Sequence, residues 1–351
     1  MRSAGFLALL GVLLATACST DTPVTPPLLE LEPVGLFSLT GGRTLVVDDD
    51  GADCPHAGYS TIQAAVDAAD PGVTILVCAG TYHERVLITE EAKNGLQLLA
   101  QGEPGTVVLD GAGLPAPGAP GTPTGNHGFH LLNVSDVLIQ GFTLRAYVEN
   151  IRLTGASGNT IRKNRTTAAG HDGIILVNSA ANVIEHNVSF DNPARNACGI
   201  NVAGPGSARN LIRHNVLSNN NWGILIQPGT TGNNVFSNVA VNNRSHGILN
   251  RGSSGTRIEN NRVEGNGRGG ASVLFPEGPR AGIGVQRAIF ADGSILLSNN
   301  VTVARNRVFN QFEMILDLFW DEQGVGNAFV NNHCVTSSPD GLCAHSEGAS
   351  K

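Results

Sequence analysis

The phrase N-x-Φ-x-x-N, with Φ apolar, recurs along the C-terminal two-thirds of the sequence. It reads NTIRKN (159–164), NVIEHN (182–187), NLIRHN (210–215) and NNVFSN (233–238), then more loosely TRIENN (256–261), VTVARN (301–306) and NAFVNN (327–332). Successive starts differ by 23, 28, 23, 23, 45 and 26 residues. A second phrase, G-I-x-Φ, falls between them as GIIL (173–176), GINV (199–202), GILI (223–226) and GILN (247–250). A period near 23 with short apolar alternations broken by Gly, Asn and Ser is a solenoid of strands, because each unit buries its apolar face only against its neighbours. Three short strands per turn make a right-handed parallel β-helix. Residues 80–335 then give about ten coils and, at about 4.8 Å per coil, a rod of about 45 Å. The 45-residue interval is either two periods or one period with a long loop around Leu274–Gly284.

Composition agrees. Charged residues are 15% of the 351, aromatics 5%, and Gly numbers 44, which suits strands and tight turns. The net charge is −7 and no Lys/Arg run occurs, so nucleic acid is not an expected partner.

The repeat assigns columns. Asn tolerates left-handed backbone and its amide bonds nearby backbone groups. Asn164, Asn187, Asn215, Asn238, Asn261, Asn306 and Asn332 are expected to stack as one amide ladder, and Asn192, Asn220, Asn243 and Asn266 as a second. Ile161, Ile184, Ile212, Val235, Ile258, Val303 and Phe329 form one inner file, and Ile174, Ile200, Ile224 and Ile248 another. The first coil needs a cap, since an open edge invites aggregation. YSTIQAAVDAADPG supplies a short helix, with Ser60 as N-cap and Gln63 completing a capping box.

The N-terminal residues MRSAGFLALLGVLLATACS form an export signal, with Arg2 before an apolar run too short to span a bilayer. Ala15-Thr16-Ala17-Cys18 resembles the lipobox of bacterial lipoproteins. That implies acylation of Cys18, with residues 1–18 as signal, a Thr/Pro-rich tether over 19–43, a cap with first strands over 44–90, and the β-helix over 91–345. An ordinary cleaved signal with an incidental cysteine is the alternative. The expected location is the bacterial cell envelope, lipid-anchored on the outer-membrane or periplasmic face. Export permits disulfides. Cys54–Cys78 and Cys334–Cys343 are expected to staple the two ends, leaving Cys198 unpaired.

The segments VDDDGADC and STIQAAVDAADPGVTILVCAGTYHERVLI, the repeated coils, and the closing DLFWDEQGVGNAFVNNHCVTSSPDGLC together resemble the right-handed β-helix proteins of the pectin-lyase-like superfamily over nearly all of residues 44–343. That superfamily includes lyases, hydrolases, esterases, epimerases, tailspikes and adhesins, so the resemblance implies a fold and not one activity. The motif sets of pectin methylesterases, polygalacturonases and pectate lyases are absent. The DPHD-type motif of mannuronan epimerases is missing too, though His171-Asp172 faintly echoes it.

The residue two before the Ile of each G-I phrase is Asp172, Cys198, Trp222 and His246, and Glu149 matches one coil earlier. In that register Glu149 and Asp172 stand about 5 Å apart, a spacing suited to a pair of carboxylates acting on a glycosidic bond. His171 could shuttle a proton. Trp222, His246, Arg145 and Tyr147 are candidate sugar contacts. Solvated turn residues are the bland alternative. A column of Arg162, Glu185, Arg213, Phe236 and Glu259 suggests exposed ion pairs. Lys163, His186 and His214 lack a third good ligand for zinc, and Asp48–Asp53 lacks the terminal Glu of a calcium loop. No cofactor or metal is expected; calcium is left open, with no full ligand pattern to support it. Phe319 and Trp320 are expected to close the last coil beside the acids Asp317, Asp321 and Glu322. The expectation is carbohydrate interaction along the rod. A polysaccharide lyase, epimerase or hydrolase using Glu149, Asp172 and His171 is one alternative, and a spacer without ligand is the other.

Overall fold

The computed structural model describes residues 43–344 except 90, 116–124, 193, 270–277 and 313–314. The expected export signal, acylated Cys18 and tether therefore lie outside the described residues, as does part of the loop expected around Leu274–Gly284.

Among the described residues, three parallel sheets of eleven, nine and ten strands run the length of the chain. The first holds the N-x-Φ strands, such as Thr160–Arg162, Val183–Glu185 and Leu211–Arg213. The second holds the strands that follow each Asn corner, such as Arg165–Thr167 and Val188–Phe190. The third holds the G-I strands, such as Glu149–Thr154, Asp172–Val177, Cys198–Ala203 and Trp222–Ile226. The chain visits the sheets in rotation, and every neighbour within them is parallel. Parallel crossovers of L-residues wind to the right. The molecule is a right-handed parallel β-helix.

Both inner files form as the repeat requires. Ile174, Ile200 and Ile224 are consecutive partners and fully buried, with Ile248 next. Ile161, Ile184, Ile212, Val235, Ile258, Val303 and Phe329 stack likewise, though Phe329 is only half-buried. The G-I glycine is explained by close approach. A Cβ on Gly199 would lie 2.8 Å from the Gly223 carbonyl, and one on Gly223 would collide with the Gly247 carbonyl.

The Asn columns are hydrogen-bonded ladders. Nδ2 of Asn187 donates to Oδ1 of Asn215 (3.0 Å) and to the Ile161 carbonyl (2.9 Å), while its Oδ1 accepts from the backbone N–H of Asn164 (3.0 Å). The same pattern continues to Asn332. In the second ladder, Asn192 leads through Asn220 and Asn243 to Asn266, which ends on Gln311. The first Asn of the phrase builds a third ladder that the repeat also contained, from Asn159 through Asn182 and Asn210 to Asn233.

Other expectations are decided or corrected by the structure. Of the two readings of the 45-residue interval, a single coil with added length holds, because Arg257 pairs directly with Thr302; the loop expected around Leu274–Gly284 does not extend over Ala281–Gln286, which is a strand. The added length is two excursions on either side of Ala281–Gln286, itself a strand of the third sheet, and the later one carries the hairpin Ala288–Ile289/Ile295–Leu296. The capping helix Ile62–Ala68 starts on Thr61, not Ser60: Thr61 Oγ1 accepts from Ala64 N at 3.2 Å, and the Glu84 carboxylate accepts from Ile62 N and Gln63 N at 2.8 Å each. Gln63 makes no capping box. Its amide instead pairs with Leu87 N (2.7 Å) and O (3.1 Å), covering the edge of the terminal strand Val86–Thr89. Of the mixed-charge column, Arg213–Glu185 is a 2.7 Å ion pair, whereas Arg162 Nε bonds Gln140 Oε1. Both disulfides are present and Cys198 is a buried thiol. At the far end Asp317 accepts from Val335 N and Thr336 N, Phe319 is buried, and Trp320 packs on Phe329.

Asn215→Ala removes two ladder bonds and leaves the buried Asn187 N–H and Ile184 carbonyl unpaired. At roughly 1–3 kcal/mol per orphaned buried group, the expected loss is about 3 kcal/mol in denaturant unfolding. A loss below about 0.5 kcal/mol, the range of surface substitutions, contradicts the ladder.

Candidate functional site

The third sheet begins each rung at the same point, so register brings His127, Glu149 and Asp172 onto consecutive strands. Three positions further along, His130 pairs with Arg152 on the outer face, and Arg152 with Ile175. His171 stands on the corner just before Asp172. The sequence reading brought together Glu149, Asp172 and His171 and missed His127, His130, Arg152 and Asn201. The signal for the first three lay in HGFH, one rung before ENIR, in a segment without the Asn phrase.

The cluster is a linked set of charges. His127 Nδ1 lies 2.6 Å from Glu149 Oε2. Arg152 Nη1 donates to Glu149 Oε1 at 3.2 Å, and Arg152 Nε to Thr154 Oγ1 at 3.1 Å. His171 Nδ1 is 2.7 Å from Asp172 Oδ2 and 3.9 Å from Glu149 Oε1. Asp172 is further held by Cys198 N (2.8 Å) and Asn201 Nδ2 (2.9 Å), and Asn201 in turn accepts from Gln227 at 3.0 Å.

The acids lie behind and the cations in front. Side-chain exposure is 0% for Asp172 and 9% for Glu149, against 32% for His171, 23% for Arg152 and 13% for His127. Burial opposes ionisation of Glu149, but its contact with His127 and the charges of His127, Arg152 and His171 outweigh it and hold its pKa below the usual value. The bond to Asp172 raises the pKa of His171 against the effect of burial, with the Asp172 and Glu149 charges adding to the rise. Burial, then the charges of His127 and Arg152, push His130 down to about 4, so it is neutral at pH 7.

The proposed sugar contacts fare differently. Trp222 and His246 are buried, at 1% and 3% exposure, and burial depresses His246 to about 4. Trp222 lies with Cys198, Leu225 and Leu249 in a small apolar cluster separate from the main core. Tyr147 is inside the coil, its hydroxyl donating to the Glu84 carbonyl at 2.6 Å. Arg145 is exposed but paired with Asp110 at 2.8 Å. None of these stands beside His171 as a sugar platform.

Glu149, His171 and Asp172 place ligand atoms within 4.8 Å of one another, so the set can take a divalent cation in place of the His171 proton. Asp48, Asp49 and Asp50 also converge, but Asp48 accepts from Cys54 N and Asp50 N, and Asp49 from Thr81 N at 3.0 Å. Lys163, His186 and His214 share a left-handed corner (φ 54°, 55° and 54°), where the two imidazoles stack at 5.0 Å.

A family model described as "Right handed beta helix region" matches residues 122–263. Among solved structures, the chain is similar to an alginate lyase from Paenibacillus sp. str. FPU-7, with TM-score 0.57, 16% identity, and 79% of this chain and 92% of that one covered. It is also similar to the D317A mutant of the periplasmic alginate epimerase AlgG, with TM-score 0.50, 16% identity, and 75% and 61% covered. A third likeness is to XylC in complex with xylose, with TM-score 0.50, 11% identity, and 77% and 70% covered. These are likenesses of fold. No curated protein sequence matches the chain.

The raised His171 pKa carries a sign. The folded state binds that proton more tightly than the unfolded chain, so the stabilisation is full below about 6.5 and is lost as pH rises through the raised folded value. The difference in Tm between the native chain and His171→Ala should therefore narrow from pH 5.5 to pH 9. A difference that widens over that range contradicts the assignment.

Proposed function

We propose that this chain is an envelope lipoprotein whose β-helix acts on acidic polysaccharide, with His171 as the proton-transfer group. The carrying observation is that His171 and Arg152 are partly open to solvent while both carboxylates are buried behind them. Hydrolysis by two carboxylates needs both to reach the sugar, and Asp172 is fully enclosed with both oxygens bonded. That speaks against the hydrolase reading. A uronate fits better. Its C5 proton is acidified by the adjacent carboxylate, and a cation must first offset that carboxylate's charge.

In this reading Arg152 meets the carboxylate. Asp172 fixes Nδ1 of His171 and leaves Nε2 for exchange with substrate. Nε2 takes the C5 proton, and the C–H electron pair forms a C4=C5 double bond as the C4–O4 bond breaks. The departing oxygen takes a proton from water or from an imidazolium, leaving an unsaturated end and a new hydroxyl. Return of a proton to the other face of C5 gives epimerisation by the same first step. His130, neutral at pH 7, borders the site as an acceptor or donor of hydrogen bonds. The fold neighbours include an alginate lyase and an alginate epimerase, which agrees with a uronate polymer.

The test is incubation of the full chain with alginate and polygalacturonate, following ultraviolet absorbance of unsaturated ends and, by NMR, the ratio of C5 epimers. Turnover is expected, with a loss of about 100-fold or more in His171→Ala, in line with general acid–base catalysis. Asp172→Asn should lower the His171 pKa and move the acid limb of the pH–rate profile to lower pH. Full activity in His171→Ala, or turnover confined to neutral glycans, overturns the reading.

A further inference from the structure

The G-I-x-Φ phrase sets its x residue on the outer face of the third sheet. On successive rungs that file reads Ile175, Asn201, Leu225 and Leu249, each in register with the next. All four are buried. Three are aliphatic, and the single amide stands on the rung next to Asp172. The corner asparagines serve backbone groups that the turns take out of the sheets. Asn201 has no such duty, because it lies inside the strand Cys198–Ala203. An aliphatic side chain would have continued the file, whereas a buried amide is costly unless it is bonded.

Both ends of the amide are spent on the His171 cluster. Nδ2 donates to Asp172 Oδ2 at 2.9 Å, the same oxygen that lies 2.7 Å from His171 Nδ1. Cys198 N donates to the other oxygen, Asp172 Oδ1, at 2.8 Å. The carboxylate is therefore held at both oxygens and cannot turn away from the imidazole. A carboxylate only accepts, so the atom facing it must be Nδ2, and Oδ1 of Asn201 then needs a donor. Gln227 Nε2 supplies one from the following rung at 3.0 Å. That bond fixes the sense of the Asn201 amide, since the reversed amide would turn an acceptor toward Asp172.

We propose that Asn201 and Gln227 are positioning residues for proton transfer at His171: they hold Asp172 Oδ2 against Nδ1, which keeps the proton of the neutral ring on Nδ1 and leaves Nε2 directed at substrate. The inference rests on the reading of His171 as the proton-transfer group. Asn201 is 1% exposed and acts only through Asp172. Its loss should cost rate rather than affinity, because Arg152, which meets the substrate carboxylate in that reading, is held by Glu149 and Thr154 instead.

The experiment compares the full native chain with Asn201→Leu and Gln227→Leu, each carrying ¹⁵N-labelled histidine, with His171→Ala to assign the signal. The native chain should show a downfield Nδ1–H proton resonance for His171, as expected of an imidazole bonded to a carboxylate. Asn201→Leu should move it upfield or broaden it into exchange with water, and Gln227→Leu should move it the same way by less. On the alginate or polygalacturonate that the native chain turns over, kcat should fall about tenfold in Asn201→Leu while KM stays within about twofold. A merely structural Asn201 would lower Tm and leave the resonance in place. Gln227 is half-buried, so Gln227→Leu keeps the readout available should Asn201→Leu not fold. An unmoved resonance in the folded variants, or a kcat equal to that of the native chain in Asn201→Leu, overturns the inference. The outcomes separate from the catalytic reading: a shifted resonance in a chain without turnover leaves the positioning standing, whereas turnover with an unmoved resonance removes the positioning alone.

Discussion

Every turn of this molecule must carry the chain around a corner, and each corner takes backbone N–H and C=O groups out of the sheets. The buried Asn ladders meet that demand. One side chain accepts from the backbone of one neighbouring rung and donates to the amide of the other, so satisfaction on one rung depends on the rungs beside it. Buried amides left unpaired would be costly. The ladders therefore fix the vertical alignment of the coils, and the alignment fixes everything placed upon it.

The candidate site follows from that alignment. His127, Glu149 and Asp172 are 22 and 23 residues apart and share no local motif, yet register puts them side by side. The same winding sets the polarity of the cluster. Asp172 lies at the start of its strand, where the Cys198 N–H and the Asn201 amide of the next rung reach it, while His171 occupies the corner and faces out. The charges then organise themselves: buried carboxylates hold half-buried imidazole and guanidinium groups in place.

Much of this was legible in the sequence. The spacing of the Asn phrase yields the sheets, both inner files and the Glu149–Asp172 neighbourhood, because in a solenoid period is geometry. Other features were not legible, for physical reasons. Periodicity separates the inside of a coil from its outside but does not report whether the outside is covered, so Trp222 and His246 read as surface groups and are buried. Tyr147 sits at a corner where the ring turns inward to reach the Glu84 carbonyl, which no repeat position encodes. The 45-residue interval hid a strand, Ala281–Gln286, because its GIGV phrase is flanked by insertions that break the count. His127, His130 and Arg152 were readable only by extending the register backwards past the last clear Asn phrase.

The most direct test of this account is a crystal structure of the chain that resolves the side-chain amides of Asn187 and Asn215 with the strands around Glu149 and Asp172. The account predicts a continuous file of buried amides about 3 Å apart from Asn164 to Asn332, with His127, Glu149 and Asp172 on three consecutive strands. Solvent-facing amides at those positions, or a register that places Glu149 and Asp172 on non-adjacent strands, would contradict it.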